Sequence, residues 1–148
     1  MGLALGRMVG TAGAAQAWYL LVPSDAQMMA DGSIAKGVTI AQYPQAAAFD
    51  TAAACEGGRD TLGNLRLRAA QRADGQRKAA DKAYDEAPVG TYDTKTGTFK
   101  GGSPKRDELR DARQKAQVAY FEAVIRLDEM RIAVCISSDD PRLQGPGR

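Results

Sequence analysis

Hydrophobic and polar positions follow two different rhythms in this chain. Within the first third, "WYLLV", Trp18 to Val22, is a run of aromatic and branched apolar residues stopped by Pro23-Ser24-Asp25, the pattern of a buried strand. Ser24 to Gly37 is polar and rich in small residues, which predicts a loop. "VTIAQYPQAAAF", Val38 to Phe49, holds strand-like pieces broken at Pro44, with a short strand in its second half. Asp50 then reads as the N-cap of a helix whose first turn carries Ala52-Ala53-Ala54. Gly57-Gly58 and Gly63 predict a kink or brief interruption, each glycine weakening a helix by about 1 kcal/mol relative to alanine. Helix resumes near Thr61 and runs to about Ala87, ended by Pro88.

Within that helix Leu62, Leu65, Ala69, Ala73, Gln76, Ala80, Ala83 and Ala87 recur at three- and four-residue intervals, a narrow alanine-dominated seam. Pro104 to about Ile132 repeats the pattern through Leu109, Ala112, Ala116, Ala119, Ala123, Leu127 and Met130, with Tyr120, Phe121 and Val124 broadening it. Ser103 as N-cap and Pro104 at the first helical position make a good start for this second helix. Two such helices predict an antiparallel hairpin spanning about residues 59–132, its backbones drawn close by alanine. In the connector, 88–103, Gly90-Thr91-Tyr92 and Thr98-Phe99-Lys100 flank Asp93-Thr94-Lys95-Thr96-Gly97. That arrangement reads either as a small β-hairpin or as a flexible loop. "IAVCI", from Ile132, is a closing strand ended by Ser137-Ser138-Asp139-Asp140-Pro141, and residues 143–148 read as a disordered tail. The expectation is an α+β fold over 18–142, in which the closing strand, "WYLLV" and the strand before Asp50 form a small antiparallel sheet beneath the helical hairpin.

Composition narrows the functions. Aromatics are only 6% of the chain, so packing must rely on small side chains. With 20 basic and 18 acidic residues the net charge is +2, which argues against a nucleic-acid binder. There is no histidine, which removes the commonest general base and metal ligand, and with them Ser-His-Asp and Cys-His catalysis. No metal, cofactor or small-molecule ligand is predicted.

The N-terminal residues are small and apolar, and Ala15-Gln16-Ala17 fits the small-x-small rule for signal-peptide cleavage, making 1–17 a signal peptide and Trp18 the mature N-terminus. An uncleaved anchor from Met8 through Val22 is a second reading, short of the roughly 20 residues that span a bilayer, and a cytosolic helix is a third. Export is preferred, to the periplasm or the outside. Cys55 and Cys135 lack the C-x-x-C spacing of a redox centre and are too few for an ordinary zinc site. In an exported chain they form one structural disulfide, stapling the helix that follows Asp50 to the closing strand; two buried thiols in a cytosolic chain are the alternative.

"WYLLVP", "FDTAAACE" and "CISSDDPRL" together resemble a pattern of small exported bacterial proteins, W-Y-L-L-V-P / F-D-T-A-x-x-C-E / C-x-x-x-D-D-P-R-L. The resemblance covers about the first third and the last fifteen residues. It implies export and the disulfide, and it implies no activity.

Candidate chemistry is thin. Asp139-Asp140 places two carboxylates side by side, read as a turn that bonds to its own backbone rather than as a calcium or acid–base site. "KGGSPKR", Lys100 to Arg106, lacks the phosphate-loop order and reads as a cap. Arg59, Arg66, Arg68, Arg72, Arg77, Lys78 and Lys82 read as a solvated face interrupted by acids. Tyr92 and Phe99, at the tip of the hairpin, are the candidate partner contacts. The leading expectation is a non-enzymatic envelope protein that acts through protein–protein contact or self-association. The alternatives are a peripheral membrane protein using the basic face or an uncleaved N-terminus, and a small enzyme built on Asp139, Asp140 or Glu56.

Overall fold

The computed structural model describes residues 16–100 and 104–144, with the backbone alone at 99, 100 and 104. The predicted signal segment before Gln16, the Ser103 cap and the last four residues of the predicted tail lie outside the described residues. Three strands form the base: β1 (Trp18–Leu21), β2 (Gln45–Phe49) and β3 (Val134–Ser137). β1 is central and antiparallel to both neighbours. Trp18 lies opposite Phe49 on one side and Ser137 on the other, while Leu20 lies opposite Ala47 and Cys135. Backbone bonds from Val22 to Pro44 and from Ser138 to Ala17 extend the two ladders. The sheet is the antiparallel α+β base expected from the pattern.

Between β1 and β2 the chain makes two 3-10 turns, Asp25–Gln27 and Ile40–Gln42. The second replaces the strand expected in the first half of Val38–Phe49. Thr39 and Gln42 favour it, because the Gln42 side chain turns back to accept the Thr39 N–H at 2.7 Å and closes the turn locally. Ser24 and Gln27 repeat the device at 2.9 Å, and the Gln27 amide donates to the Gln42 carbonyl, tying the two turns together.

Helix α1 (Ala52–Asp85) is one unbroken run of 34 residues, without the interruption expected at its glycines. Its N-cap is Thr51 rather than Asp50: the Thr51 hydroxyl accepts the Ala54 N–H at 3.1 Å. Gly58 has a packing reason for being there. A Cβ at this position would stand 2.3 Å from the Phe49 ring, so the bare backbone is what lets β2 close onto α1. Gly57, Gly63 and Gly75 meet nothing within 4 Å. Helix α2 (Pro104–Ile132) returns antiparallel over 29 residues. Between the helices, Thr91–Asp93 and Thr98–Lys100 pair as a β-hairpin, β-tip, with Tyr92 opposite Phe99. Asp93 closes it by accepting the Lys95 N–H on its side chain and the Gly97 N–H on its carbonyl, with Gly97 at φ 64°.

Cys55 and Cys135 form a disulfide, their Cα atoms 5.9 Å apart across a separation of 80 residues. The bond sits in the core among Leu20, Val22, Met130 and Ala133, with Trp18, Phe49 and Leu62 packed around it. Closing a loop of that length contributes about 4 kcal/mol through the unfolded chain. After β3, Pro141–Leu143 forms a further 3-10 turn, so ordered backbone continues into the first residues of the expected tail.

The glycines separate by what surrounds them. Gly58→Ala should lower stability by about 1–2 kcal/mol, because the Phe49 ring must move, whereas Gly57→Ala, Gly63→Ala and Gly75→Ala should each raise it by about 0.5–1 kcal/mol. Urea unfolding of the four variants checks both signs.

Candidate functional site

The face that joins the helices keeps part of the expected alanine seam and shifts the rest. Leu65, Gln76 and Ala83 of α1, and Ala112, Ala119 and Phe121 of α2, are exposed; Leu65 and Phe121 are 55% and 54% accessible. The expected members Leu62, Ala73, Ala116, Tyr120, Leu127 and Met130 do lie inward, and Arg66, Ala70, Arg77 and Tyr84 of α1 and Arg113 of α2 join them. Two members of the expected solvated basic face, Arg66 and Arg77, therefore lie in the seam.

Those groups pair across it. Arg66 donates to the Glu129 carboxylate at 2.6 Å and to the Arg126 carbonyl at 2.6 Å. Glu129 is 6% exposed and is the buried charged residue the pattern missed. Arg113 donates to Asp81 at 2.7 Å while its guanidinium lies 5.1 Å from the Tyr84 ring. Arg106 stacks on that ring at 4.6 Å and donates to the Ala87 carbonyl at 2.6 Å. Arg77 holds Asp74 and Asp81 on its own helix and lies over the Tyr120 ring at 5.0 Å. Lys78 and then Arg77 draw the Asp74 carboxyl below its usual range. The seam is thus a ladder of engaged cations, carboxylates and phenol rings. Each carboxylate in it is already neutralised, so it offers structure and register rather than a free acid or base.

Where the hairpin meets the base, an open groove of about 700 Å³ lies between the turn after β1, Ala46 of β2 and both helices. Val22, Pro23, Leu65, Ala69 and Ile125 supply apolar walls, and the Arg66–Glu129 pair closes its inner side. The carboxylates once candidates for chemistry are not gathered here. Asp140 accepts from the backbone and guanidinium of Arg142, which hold its carboxyl down at about 2. Asp139 accepts from Ser137 and from Gln16, and both lower it. Glu56 pairs with Arg59 at 2.6 Å on the surface of α1. Among the described residues no cluster of acids or cysteines is arranged to hold a metal ion, and no helix is long and apolar enough to cross a membrane.

At the far end of the hairpin Tyr92 is 61% exposed and Val89 is 69% exposed. Tyr92 is therefore open to a partner, and the strand pairing places Phe99 directly across from it; the Phe99 side chain lies outside the described residues. Along the outward side of α2, Val118, Phe121 and Ile125 form an uncovered apolar row. No signal distinguished that row from the core stripe, because both fall at helical spacing.

Arg66→Met should cost about 3 kcal/mol by leaving the Glu129 carboxylate buried and unpaired, and adding Glu129→Met should return the double variant to within about 1 kcal/mol of the parent. A double-mutant cycle by denaturant unfolding measures both. Stability should also depend on acid in one direction. Asp74, Asp139 and Asp140 have depressed carboxyls in the fold, so they bind protons more readily when unfolded. Their contribution is complete above the ordinary carboxylate value and is lost as pH falls. The thermal midpoint should hold from neutral pH to about 5 and drop between about 4 and 2, and Asp140→Asn should remove part of that drop.

No protein-family model, curated protein or solved structure matches this chain, so its function rests on its own surfaces.

Proposed function

We propose that this chain is a non-enzymatic contact protein of the periplasm or the extracellular space, which presents its helical hairpin to a protein partner. The observation that carries the reading is the Cys55–Cys135 bond at the root of the hairpin. A disulfide is compatible with an oxidising compartment, and this one fastens a stalk about 50 Å long to a small sheet. A rigid stalk with an exposed tyrosine at its tip and an apolar row along its side suits recognition, since ordered aromatic and apolar groups lose little entropy on binding. Of the carboxylates a small enzyme would draw on, Asp139 and Asp140 are held charged by Ser137 and Arg142 and Glu56 pairs with Arg59 on another element, which favours contact over catalysis. Arg66 and Arg77 face the seam, and this thins the basic surface a membrane would need.

Intact-mass measurement on protein recovered from cell fractions, with thiol labelling before and after reduction, tests the address. The expected product begins at Trp18, is found outside the cytosol and takes up two labels only after reduction. A full-length chain in the cytosol that labels without reductant overturns it. Photo-crosslinkers placed at Tyr92 and Val118 in cells test the contact; the expected result is discrete adducts at one of these positions and none at Arg68 on α1.

A further inference from the structure

The outward face of α2 carries a charge order that matches its own reverse. At 100° per residue, Asp111, Lys115, Val118, Ala119, Glu122, Ile125 and Arg126 fall within an arc of about 120°, away from Arg113, Ala116 and Tyr120, and at its base end the arc borders the groove shared with α1. The residues named within the arc are all exposed. The charged positions along the face read acid, base, acid, base, with Val118 and Ala119 at the centre and Ile125 beside Arg126. Reversed about the midpoint between Val118 and Ala119, each acid takes the place of a base. Within the described residues Lys115, Glu122 and Arg126 have no ion-pair partner, and Asp111 has only a 4.0 Å approach to its neighbour Arg110. A shallow depression of about 430 Å³ lies over the middle of this face, and it merges with the groove at the base through Ala119 and Glu122.

We propose that this face binds a second copy of the same chain, α2 against α2 and antiparallel, about a two-fold axis between Val118 and Ala119. Asp111 then faces the partner's Arg126, and Lys115 faces the partner's Glu122. The axis repeats both pairs, giving four complementary ion pairs around Val118, with Ile125 and Phe121 gaining cover at the flanks. The charge order favours a copy over other occupants. Between Asp111 and Arg126 the face sums to zero charge, and one turn before it the exposed Asp107 and Glu108 add acid, which offers nothing to an anionic membrane or to nucleic acid, whereas a second copy satisfies the four charges from Asp111 to Arg126 by symmetry alone. This names the partner for the contact reading above and rests on that reading.

Sedimentation equilibrium of the oxidised chain tests it. The parent should form dimers whose Kd rises with salt, as screened ion pairs require. Lys115→Glu and Glu122→Lys should each raise Kd by about tenfold or more, because each sets like charges face to face at two places. The double variant K115E/E122K should dimerise like the parent. Mixing the two single variants should give a heterodimer, since one copy then carries two acids and the other two bases. The proposal is overturned by a parent that stays monomeric to about 100 μM. It is equally overturned by single variants that dimerise like the parent, or by a mixture that stays monomeric while circular dichroism shows both chains folded. A monomeric parent that still yields crosslinks to another protein at Tyr92 removes the self-contact alone and leaves the wider contact reading standing.

Discussion

The bond between Cys55 and Cys135 is the constraint on which the architecture depends. It joins the first turns of α1 to the strand that follows α2, so both legs of the hairpin are rooted in one core. Without it, two long helices with few large buried side chains would rest on three short strands. Leu20, Ile136 and Cys55 are among the few fully buried groups, and α1 beyond Ala73 has no buried residue at all. Helices in proteins draw most of their stability from packing, and this hairpin has little apolar packing to draw on along its length. A covalent tie that removes freedom from the unfolded chain stands in for the missing core, which is the usual device of small domains outside the reducing cytosol.

The seam above that root trades stability for definition. Arg66–Glu129, Arg113–Asp81 and the stacking of Arg106 on Tyr84 each join one helix to the other at a single register. Ion pairs of this kind give little net stabilisation once desolvation is counted, but they penalise any slip, because a shifted helix would leave a buried charge without its partner. The same economy appears at the glycines. Gly58 weakens α1 locally, yet it is the point where the Phe49 ring comes to rest against the helix, and the sheet could not close there around a side chain.

Much of the fold was legible along the chain, and what escaped had a common cause. The strands at Trp18–Leu21, Gln45–Phe49 and Val134–Ser137 announced themselves by alternating or continuous apolar residues between turn residues. Pro88 and Pro104 bracketed the connector, and Asp93 with Gly97 marked its turn. The face of the helices showed only in part, at Leu62, Ala73, Ala116, Leu127 and Met130. Alanine occurs all round α1, at Ala69, Ala70, Ala73, Ala79, Ala80 and Ala83, so periodicity could not choose a phase, and a seam drawn through alanine put Leu65, Gln76 and Ala83 inside when they lie outside. Glu129 was missed for the same reason: a glutamate reads as solvent-facing until the arginine that neutralises it is brought alongside. Of the candidate contacts, Tyr92 is exposed as a tip residue should be, while in the apolar row Val118, Phe121 and Ile125 only Phe121 had been assigned a place, in the core stripe.

Local signals act over a few residues: caps, breakers and strand-like runs work through the backbone of their own neighbourhood. These were enough to determine the three strands of the base and the two long helices, that the helices fold back on each other, and that one cysteine lies in each of the two elements at the root. They left the connector open between a hairpin and a loop and did not give the 3-10 turn at Ile40–Gln42. The tertiary structure decided which side of each helix faces in, because that choice depends on groups such as Arg66 and Glu129, 63 positions apart, finding hydrogen-bonding geometry together. It also decided that α1 runs unbroken through its glycines, since the packing of Phe49 against Gly58 outweighs a propensity cost of about 1 kcal/mol per glycine.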